Sequence, residues 1–362
     1  MLNKDFTYRN ITDAQNTKNF IESKKIKKYV LGRNQWSKSI ISQIKVDGVI
    51  DDFTDDKFFE NLPIYNTNEI QKDNSIVVSA TMGGPKTAKI KLDQLGIVNI
   101  DYFAFFKYSN LPLIPPPFLQ DFKNNYLNNY DKYVEIYNIL KDDKSKKNFK
   151  NIINFKITLD LKYMKEYNNA PSVQYFENDI YELPKNPIFV DGGGYTGDTS
   201  MNFIAKHNDY KKIYLFEPMK ENMKQAKNNL SSYQNIEYFE CGLSNFEGIV
   251  SFNYDDASSA IIEEGNVKIN VNYLDNIIDG RVDFIKFDIE GAEQDAIDGA
   301  KRLIKTYNPI LAICIYHKAE DWYKIPQKIL SINSDYKIYL RHYMEGISET
   351  VMYFVPKQLI KG

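Results

Sequence analysis

The sequence has few cysteines and histidines, almost no net charge and no long hydrophobic run. Its two cysteines, Cys241 and Cys314, lie far apart and in no metal-ligand spacing, which argues against a disulfide framework and a zinc site. A net charge of −2 offers no clustered basic surface to nucleic acid. The longest apolar run, 309–316, is far shorter than the ~20 residues that span a bilayer. We therefore expect a cytoplasmic protein with no nucleic-acid partner and no integral membrane contact.

The length of 362 residues and the hydrophobic content of 43% are sufficient for two domains. Residues 1–110 predict a small Rossmann-like α/β domain, because short apolar runs alternate there with helical patterns. The predicted strands are 28–32, 46–50, 75–79 and 100–106, and the predicted helices are 36–44 and 86–95. Residues 111–185 begin with a proline-rich break and are otherwise mostly helical and charged, so we expect a helical connector.

Residues 186–362 predict a doubly wound sheet that ends in an antiparallel hairpin. Five apolar runs separated by helical patterns predict the parallel strands: 188–190, 213–216, 236–239, 282–287 and 310–315. The last two runs, 336–343 and 349–355, are joined by a short segment containing Gly346, which indicates a hairpin. An antiparallel last strand on a parallel sheet favours the class I methyltransferase fold over a dehydrogenase.

A glycine-rich turn, Asp191-Gly-Gly-Gly-Tyr-Thr-Gly-Asp198, follows the first of these runs and precedes a helical pattern. Glycine is needed where the backbone bends sharply and a ligand approaches closely. Amides at the start of the helix can meet a carboxylate, and the acidic Asp191 suits the ammonium of a methionine moiety. The same acid would repel the phosphates of a dinucleotide. The turn favours S-adenosyl-L-methionine (SAM) over NAD, although a tight strand-to-helix connection would also explain it.

Glu217 ends the run 213–216 and is followed by Pro218. A carboxylate at the tip of the second strand can accept hydrogen bonds from both ribose hydroxyls of a nucleoside cofactor. Glu217 therefore indicates a ribose-bearing cofactor but does not distinguish SAM from NAD. The alternative is an acid that begins a helix over 219–230.

The run 282–287 delivers Asp288, Glu290 and Glu293 at its carboxyl end and into the next helix. Ligands of open α/β sheets bind at that end of the strands. These carboxylates could orient a hydroxyl, accept its proton or hold a divalent ion, so the sequence leaves metal dependence open. Glu293 could instead cap the helix.

Together these segments resemble the FkbM-type family of SAM-dependent methyltransferases, over about residues 174–356. The matching blocks are Phe189-Val-Asp-Gly-Gly-Gly-Tyr-Thr-Gly-Asp-Thr199, Phe216-Glu-Pro218, Asp283-Phe-Ile-Lys-Phe-Asp-Ile-Glu-Gly-Ala-Glu293, Leu340-Arg-His-Tyr343 and Glu349-Thr-Val-Met-Tyr353. The resemblance implies a class I SAM enzyme that O-methylates a sugar or glycoconjugate hydroxyl in surface-polysaccharide biosynthesis. The acceptor would be a carbohydrate or a nucleotide-sugar. The expected cofactor-binding residues are Asp191, Gly193, Tyr195, Gly197, Thr199, Glu217 and Asp288.

The three histidines differ in their suitability as the base that removes the acceptor's proton. A histidine is the natural candidate because its ordinary pKa lies near 6.5. His207 falls late in the first helix of the domain and is expected to be structural. His317 follows the strand 310–316 at the ligand-binding edge, with Asp321 and Trp322 nearby in sequence, which could orient it or an acceptor ring. The predicted catalytic residues are His317, Asp288 and Glu290, and the predicted substrate contacts are Glu293, Trp322, Arg341 and His342.

The amino-terminal domain has a less defined role. Its segment 32–37 contains one glycine, Gly32, where a dinucleotide loop needs several. Its βαβ opening, with Asp51 and Asp52 after the second strand, resembles small nucleotide-binding domains attached to some sugar-modifying enzymes. It could hold a nucleotide-sugar, or it could serve as an assembly surface for a homo-oligomer.

Two other functions are also compatible with parts of the sequence. An NAD-dependent sugar oxidoreductase would share the glycine turn and Glu217, but it usually carries a Tyr-x-x-x-Lys pair. The nearest match, Tyr126-x-x-x-Tyr130, ends in tyrosine. A non-catalytic nucleotide- or glycan-binding protein would not need Asp191, Glu217 and Asp288 intact.

Overall fold

The computed structural model describes residues 2–7, 9–253, 260–261 and 267–361. The chain forms two compact units, each assembled from separate stretches of sequence. The first unit contains 1–119, 150–169 and 344–347, and the second contains 120–149, 170–343 and 348–362. The predicted connector, 111–185, contributes residues to both units. Its boundaries, and the division at 110 and 185, stay predictions.

The first unit is a mixed α/β structure. In chain order its elements are α1 (Ile11–Glu22), β1 (Lys27–Leu31), α2 (Gln35–Ile41), β2 (Gly48–Ile50), β3 (Phe58–Phe59), β4 (Leu62–Tyr65), β5 (Ser75–Ser79), α3 (Pro85–Gln94), β6 (Val98–Asp101) and α4 (Tyr102–Ser109). Its described strands form one sheet in the order β3-β4-β2-β1-β5-β6. All neighbouring strands are parallel except β3 and β4. This arrangement confirms the predicted Rossmann-like fold.

Alternate residues of the central strands pack on opposite faces of this sheet, because successive side chains of a strand point in opposite directions. Val30 and Val78 pack in one apolar cluster with Phe20 of α1. Tyr29 and Val77 pack in a second cluster with Leu92 of α3. Helices therefore cover both faces of the sheet, as a parallel sheet requires.

The strand predicted over 100–106 is wrong beyond Asp101. The strand β6 ends at that residue, and α4 begins at Tyr102. The carboxylate of Asp101 accepts a hydrogen bond from the backbone N–H of Ala104 at 3.0 Å, which satisfies one of the free amides of the first turn. A short apolar run cannot by its periodicity distinguish strand from buried helix, and the cap decides the outcome here.

The second unit carries the remaining described elements. They are α5 (Phe122–Asn128), α6 (Tyr130–Ile139), α7 (Asp143–Thr158, shared with the first unit), β7 (Ile188–Gly192), α8 (Asp198–Lys206), β8 (Lys212–Phe216), α9 (Lys220–Asn229), β9 (Ile236–Phe239), β10 (Gly242–Leu243), β11 (Gly248–Asn253), β12 (Ala260–Ile261), β13 (Val267–Asn272), α10 (Leu274–Ile277), β14 (Phe284–Phe287), α11 (Glu293–Asp298), α12 (Lys301–Tyr307), β15 (Ile310–Cys314), α13 (Asp321–Ile332), β16 (Lys337–His342) and β17 (Thr350–Val355). Short 3₁₀ turns accompany them in both units.

The main sheet of the second unit has the order β16-β17-β15-β14-β7-β8-β9, and a smaller sheet has the order β10-β13-β11-β12. In the main sheet β17 runs antiparallel to both of its neighbours, and the other pairs are parallel. This confirms the class I methyltransferase-like fold with its antiparallel terminal hairpin. The register pairs Gly192 with both Phe216 and Phe287, so the three central strands end side by side. The loops that follow them therefore leave the sheet at one place.

Among the residues that the structure describes, none of the helices combines the length and the apolar character needed to cross a bilayer.

Candidate active site

The glycine turn between β7 and α8 lies at the carboxyl edge of the sheet, close to the end of β14. The backbone N–H groups of Gly193 and Gly194 donate to the carbonyl of Phe216 at 3.1 and 2.8 Å, which holds the turn against the end of β8. Gly193 has a φ of +80°, and a Cβ at this position would overlap the backbone carbonyl of Asp288. Only glycine allows the turn and the end of β14 to approach this closely.

A buried ion pair lies beneath the turn. Lys286 Nζ is 3.2 Å from Asp191 Oδ1 and donates to the carbonyl of Gly193 at 2.6 Å. Ser200 donates to the other carboxylate oxygen of Asp191 at 2.7 Å. Burial raises the pKa of Asp191, and the charge of Lys286 opposes that shift. Through these contacts Asp191 and Lys286 stabilise the turn. The predicted contact of Asp191 with a cofactor stays a prediction.

Glu217 follows β8 and is tied to the glycine turn. Its Oε2 accepts from the backbone N–H of Tyr195 at 3.0 Å, and its Oε1 accepts from the backbone N–H of Met219 at 2.9 Å. The residue is 6% exposed, and burial raises its pKa. Two backbone amides therefore orient the carboxylate at the tip of the second strand, the position from which a ribose can be held.

Asp288 follows β14 and is held by two tyrosines that are not among the predicted site residues. Tyr175 donates to Oδ2 at 2.8 Å, and Tyr316 donates to Oδ1 at 3.0 Å. Burial alone would raise the pKa of Asp288, but the charges of Lys286 and His317, with the tyrosine hydroxyls, hold it below its usual value. The site therefore keeps Asp288 as an anion.

His317 lies among three carboxylates. Its Nδ1 is 3.1 Å from Glu293 Oε1, and its Nε2 is 3.6 Å from Asp288 Oδ1 and 3.5 Å from Glu290 Oε2. The predicted catalytic residues and Glu293 are thus brought together. Desolvation alone would lower the pKa of His317, but the three carboxylates raise it to about 9. Burial raises the pKa of Glu290 to about 7.

Four residues near these groups have a positive φ although none is glycine. The φ values are 69° at Tyr175, 44° at Tyr195, 57° at Glu290 and 57° at Glu349. Such conformations cost on the order of 1–3 kcal/mol each and persist where surrounding contacts impose them. Other described residues elsewhere in the chain share this conformation, so the strain supports a functional site here only together with the contacts above.

One set of side chains could hold a divalent ion. Asp288, Glu293 and His317 each offer a ligand atom, and these atoms lie within 4.8 Å of one another. A carboxylate and imidazole set of this kind is chemically suited to several transition metals. The same groups also lie within ion-pair distance of one another without a metal, so metal dependence stays open.

The other predicted site residues have partners elsewhere in the second unit. Trp322 is fully buried, with its ring centroid 5.1 Å from that of Phe149. Arg341 is 2% exposed and pairs with Asp142 at 2.8 Å. The Nδ1 atom of His342 lies 2.9 Å from the hydroxyl oxygen of a threonine on β17. The predicted substrate contacts of Trp322, Arg341 and His342 stay predictions.

Two more cofactor residues were predicted from the turn. Gly197 has a φ of +84° and precedes α8, and Thr199 is 8% exposed in the first turn of that helix. Tyr195, in contrast, is 56% exposed and so presents its ring at the surface of the turn.

The sequence carried signals for some of the residues that were missed. Lys286 interrupts the apolar run 282–287, and a lysine inside a buried strand needs a buried anion. Tyr316 directly precedes His317. Glu349, which accepts a hydrogen bond from Gln174, begins a block that had been noted only as part of the resemblance. Tyr175 lies more than a hundred residues before its partner Asp288, and no sequence pattern joins them.

The fold is that of the class I methyltransferases. Residues 191–336 match the family model of the methyltransferase FkbM domain. This confirms the predicted family: residues 191–336 belong to the FkbM methyltransferases.

A solved structure agrees with this fold. The chain is 24% identical to methyltransferase FkbM from Methylobacillus flagellatus KT, with a TM-score of 0.75 over 94% of this chain and 93% of that chain. It is 18% identical to an rRNA methylase from Streptococcus thermophilus, with a TM-score of 0.32 over 48% of this chain and 90% of that chain. No curated protein matches the chain.

Proposed function

We propose that this methyltransferase uses SAM to methylate a hydroxyl group of a sugar or glycoconjugate. The observation that carries the proposal is the meeting of the glycine turn, Glu217 and Asp288 at the carboxyl ends of β7, β8 and β14. Ligands of open α/β sheets bind at this edge.

The residues at the edge suit the parts of SAM. Glu217 offers a carboxylate, already oriented by two amides, to the ribose hydroxyls. The turn around Gly193 has no side chain that would block close approach. Asp288 offers a second anion next to the turn, which suits the positively charged methionine moiety. SAM supplies an electrophilic methyl group on a sulfonium.

The residues beyond Asp288 suit the acceptor. The hydroxyl oxygen would attack the methyl carbon in line, so that the C–O bond forms as the C–S bond breaks. The hydroxyl proton would pass to Nε2 of His317, which faces Asp288 and Glu290. With a pKa of about 9, His317 is mostly protonated at neutral pH, so it would act as a base through its minor neutral form. Asp288 and Glu290 are the alternative proton acceptors.

The carbohydrate acceptor and its use in surface-polysaccharide synthesis rest on the family resemblance. A cytoplasmic location and self-association through the first unit are further expectations.

The cofactor is tested by thermal unfolding with SAM, S-adenosylhomocysteine, NAD or NADP. A ligand that binds only the native state raises the Tm, so SAM and S-adenosylhomocysteine should raise it and the dinucleotides should not. A rise with NAD or NADP alone would favour the sugar oxidoreductase instead. Transfer of a radiolabelled methyl group to a panel of glycans and nucleotide-sugars then tests the acceptor, and labelling of none of them would contradict the carbohydrate proposal.

A further inference from the structure

Glu293 is the most deeply buried of the three carboxylates around His317. It is fully buried at the start of α11, whereas the side chains of Asp288 and Glu290 are 22% and 40% exposed. Its Oε1 accepts from the backbone N–H of Ile289 at 2.9 Å. The same oxygen lies 3.1 Å from Nδ1 of His317. The main chain thus fixes the carboxylate that approaches the imidazole.

The two ring nitrogens of His317 therefore have different surroundings. Nδ1 faces the interior and a single fixed carboxylate. Nε2 is also buried, but it lies toward the two partly exposed carboxylates, 3.6 Å from Asp288 and 3.5 Å from Glu290. A carboxylate that holds one ring N–H determines which nitrogen is left to accept a proton. Sequence proximity had suggested that Asp321 orients His317, but Asp321 accepts from Gln294 at 2.7 Å.

We propose that Glu293 is a positioning residue that holds the proton on Nδ1 of His317 and directs Nε2 toward the methyl acceptor. This role replaces the substrate contact expected from the sequence. The proposal deepens the proposed function and rests on it, because it assigns Nε2 as the atom that receives the acceptor's proton. A buried carboxylate behind an imidazole performs this task in hydrolytic triads, where losing it leaves the wrong tautomer.

Several other charges act on the same imidazole. Asp288 and Glu290 raise the pKa of His317 from the Nε2 side. Burial raises the pKa of Asp321 and of Glu349 to about 7, and the charge of His317 opposes both shifts. A test must therefore separate the effect of Glu293 on tautomer and orientation from a general loss of negative charge.

Nuclear magnetic resonance of the unmodified protein first establishes the tautomer of His317, without cofactor or acceptor. The chain has three histidines, so His207 and His342 serve as internal references. Ring ¹⁵N shifts recorded above the pKa of about 9 report the neutral form of His317. We expect the Nδ1–H tautomer. Observation of the Nε2–H tautomer would overturn the proposal, whether or not methyl transfer is ever detected.

The variants Glu293→Gln and Glu290→Gln form a matched pair, since each removes one carboxylate near the imidazole. Both should lower the pKa of His317, by about one unit or more for Glu293→Gln. Only Glu293→Gln should broaden or mix the tautomer signals. It should also lower kcat by about 10²-fold while KM for SAM stays within about twofold, as expected when a base loses its orientation. Partial recovery of kcat in Glu293→Asp would support positioning. Unchanged tautomer and kcat in a folded Glu293→Gln protein would refute it.

Discussion

Replacing Lys286 with methionine should destabilise the second unit by leaving a buried anion without its cation. Lys286 is 2% exposed, Asp191 is fully buried, and their charged atoms are 3.2 Å apart. Methionine has a similar length and suits the apolar strand, so the loss of charge is the main change. Two costs follow: the unpaired carboxylate, and the lost hydrogen bond to the carbonyl of Gly193.

The first cost has an upper limit, because Asp191 can take up a proton instead of remaining charged. Protonating a carboxyl with an ordinary pKa near 3.9 costs about 1.36 kcal/mol per pH unit, which is about 4 kcal/mol at pH 7 and about 1.5 kcal/mol at pH 5. The lost hydrogen bond adds about 1 kcal/mol at either pH. Burial already raises the pKa of Asp191 in the native chain, so the expected destabilisation is at most about 5 kcal/mol at pH 7 and at most about 2.5 kcal/mol at pH 5.

The sign of the pH effect follows from linkage. In Lys286→Met the folded-state pKa of Asp191 would lie above its unfolded value, so unfolding releases a proton between the two values. Stability of the variant relative to the native chain should then be lost as pH rises from about 4 to 7. In Asp191→Asn/Lys286→Met the carboxyl is absent, so only about 1 kcal/mol should remain, independent of pH.

Tryptophan fluorescence gives an assay for the second unit alone. The chain has two tryptophans, Trp36 in the first unit and the fully buried Trp322 in the second. In a Trp36→Phe background, urea unfolding followed by fluorescence reports the environment of Trp322. If Lys286→Met costs under about 1 kcal/mol at pH 7, or if its cost does not shrink toward pH 5, the ion pair does not stabilise the unit as argued.

Three further predictions concern binding and turnover. Glu217→Ala should weaken SAM binding by about 1–3 kcal/mol in calorimetry, because buried ribose hydroxyls lose a charged acceptor, and unchanged affinity would exclude the ribose contact. His317→Ala should lower kcat by about 10²–10⁴-fold with SAM affinity nearly intact. Activity that survives this substitution but is abolished by a chelator would point to a metal held by carboxylates. If His317 is the base, kcat/KM should rise about tenfold per pH unit up to its pKa of about 9, whereas a plateau from about pH 7 would identify Glu290.

Much of the fold could be predicted because each main strand of the second unit is an apolar run ended by a polar or glycine residue. Asp191, Glu217 and Asp288 mark the ends of three such runs. Parallel strands bring their carboxyl ends to one edge, so the convergence of these residues follows from topology. The terminal hairpin could be predicted in the same way, since two strand-length runs flank a short segment with Gly346.

The contacts between distant segments could not be predicted in the same way. Glu345 lies between β16 and β17 in sequence, yet it folds with the first unit and accepts from the backbone N–H of Thr87 at 2.7 Å. Residues 150–169 likewise belong to the first unit. Such pairings are decided by tertiary packing. Local periodicity does not encode them, which is why a linear division of the chain misses them.

Lys286 links the residues proposed to bind the cofactor to those proposed to remove the proton, so the two groups cannot be treated as independent. Its ammonium group pairs with Asp191, donates to the carbonyl of Gly193, and provides the largest lowering of the pKa of Asp288. One buried charge therefore supports the turn proposed to receive the cofactor and also keeps Asp288 ionised beside His317. Removing it would change the turn and the protonation of Asp288 together, so a loss of activity in Lys286→Met would not by itself identify which group had failed. Variants at Glu217, which contacts the turn, and at Glu293, which contacts His317, are the ones that can separate cofactor binding from proton removal.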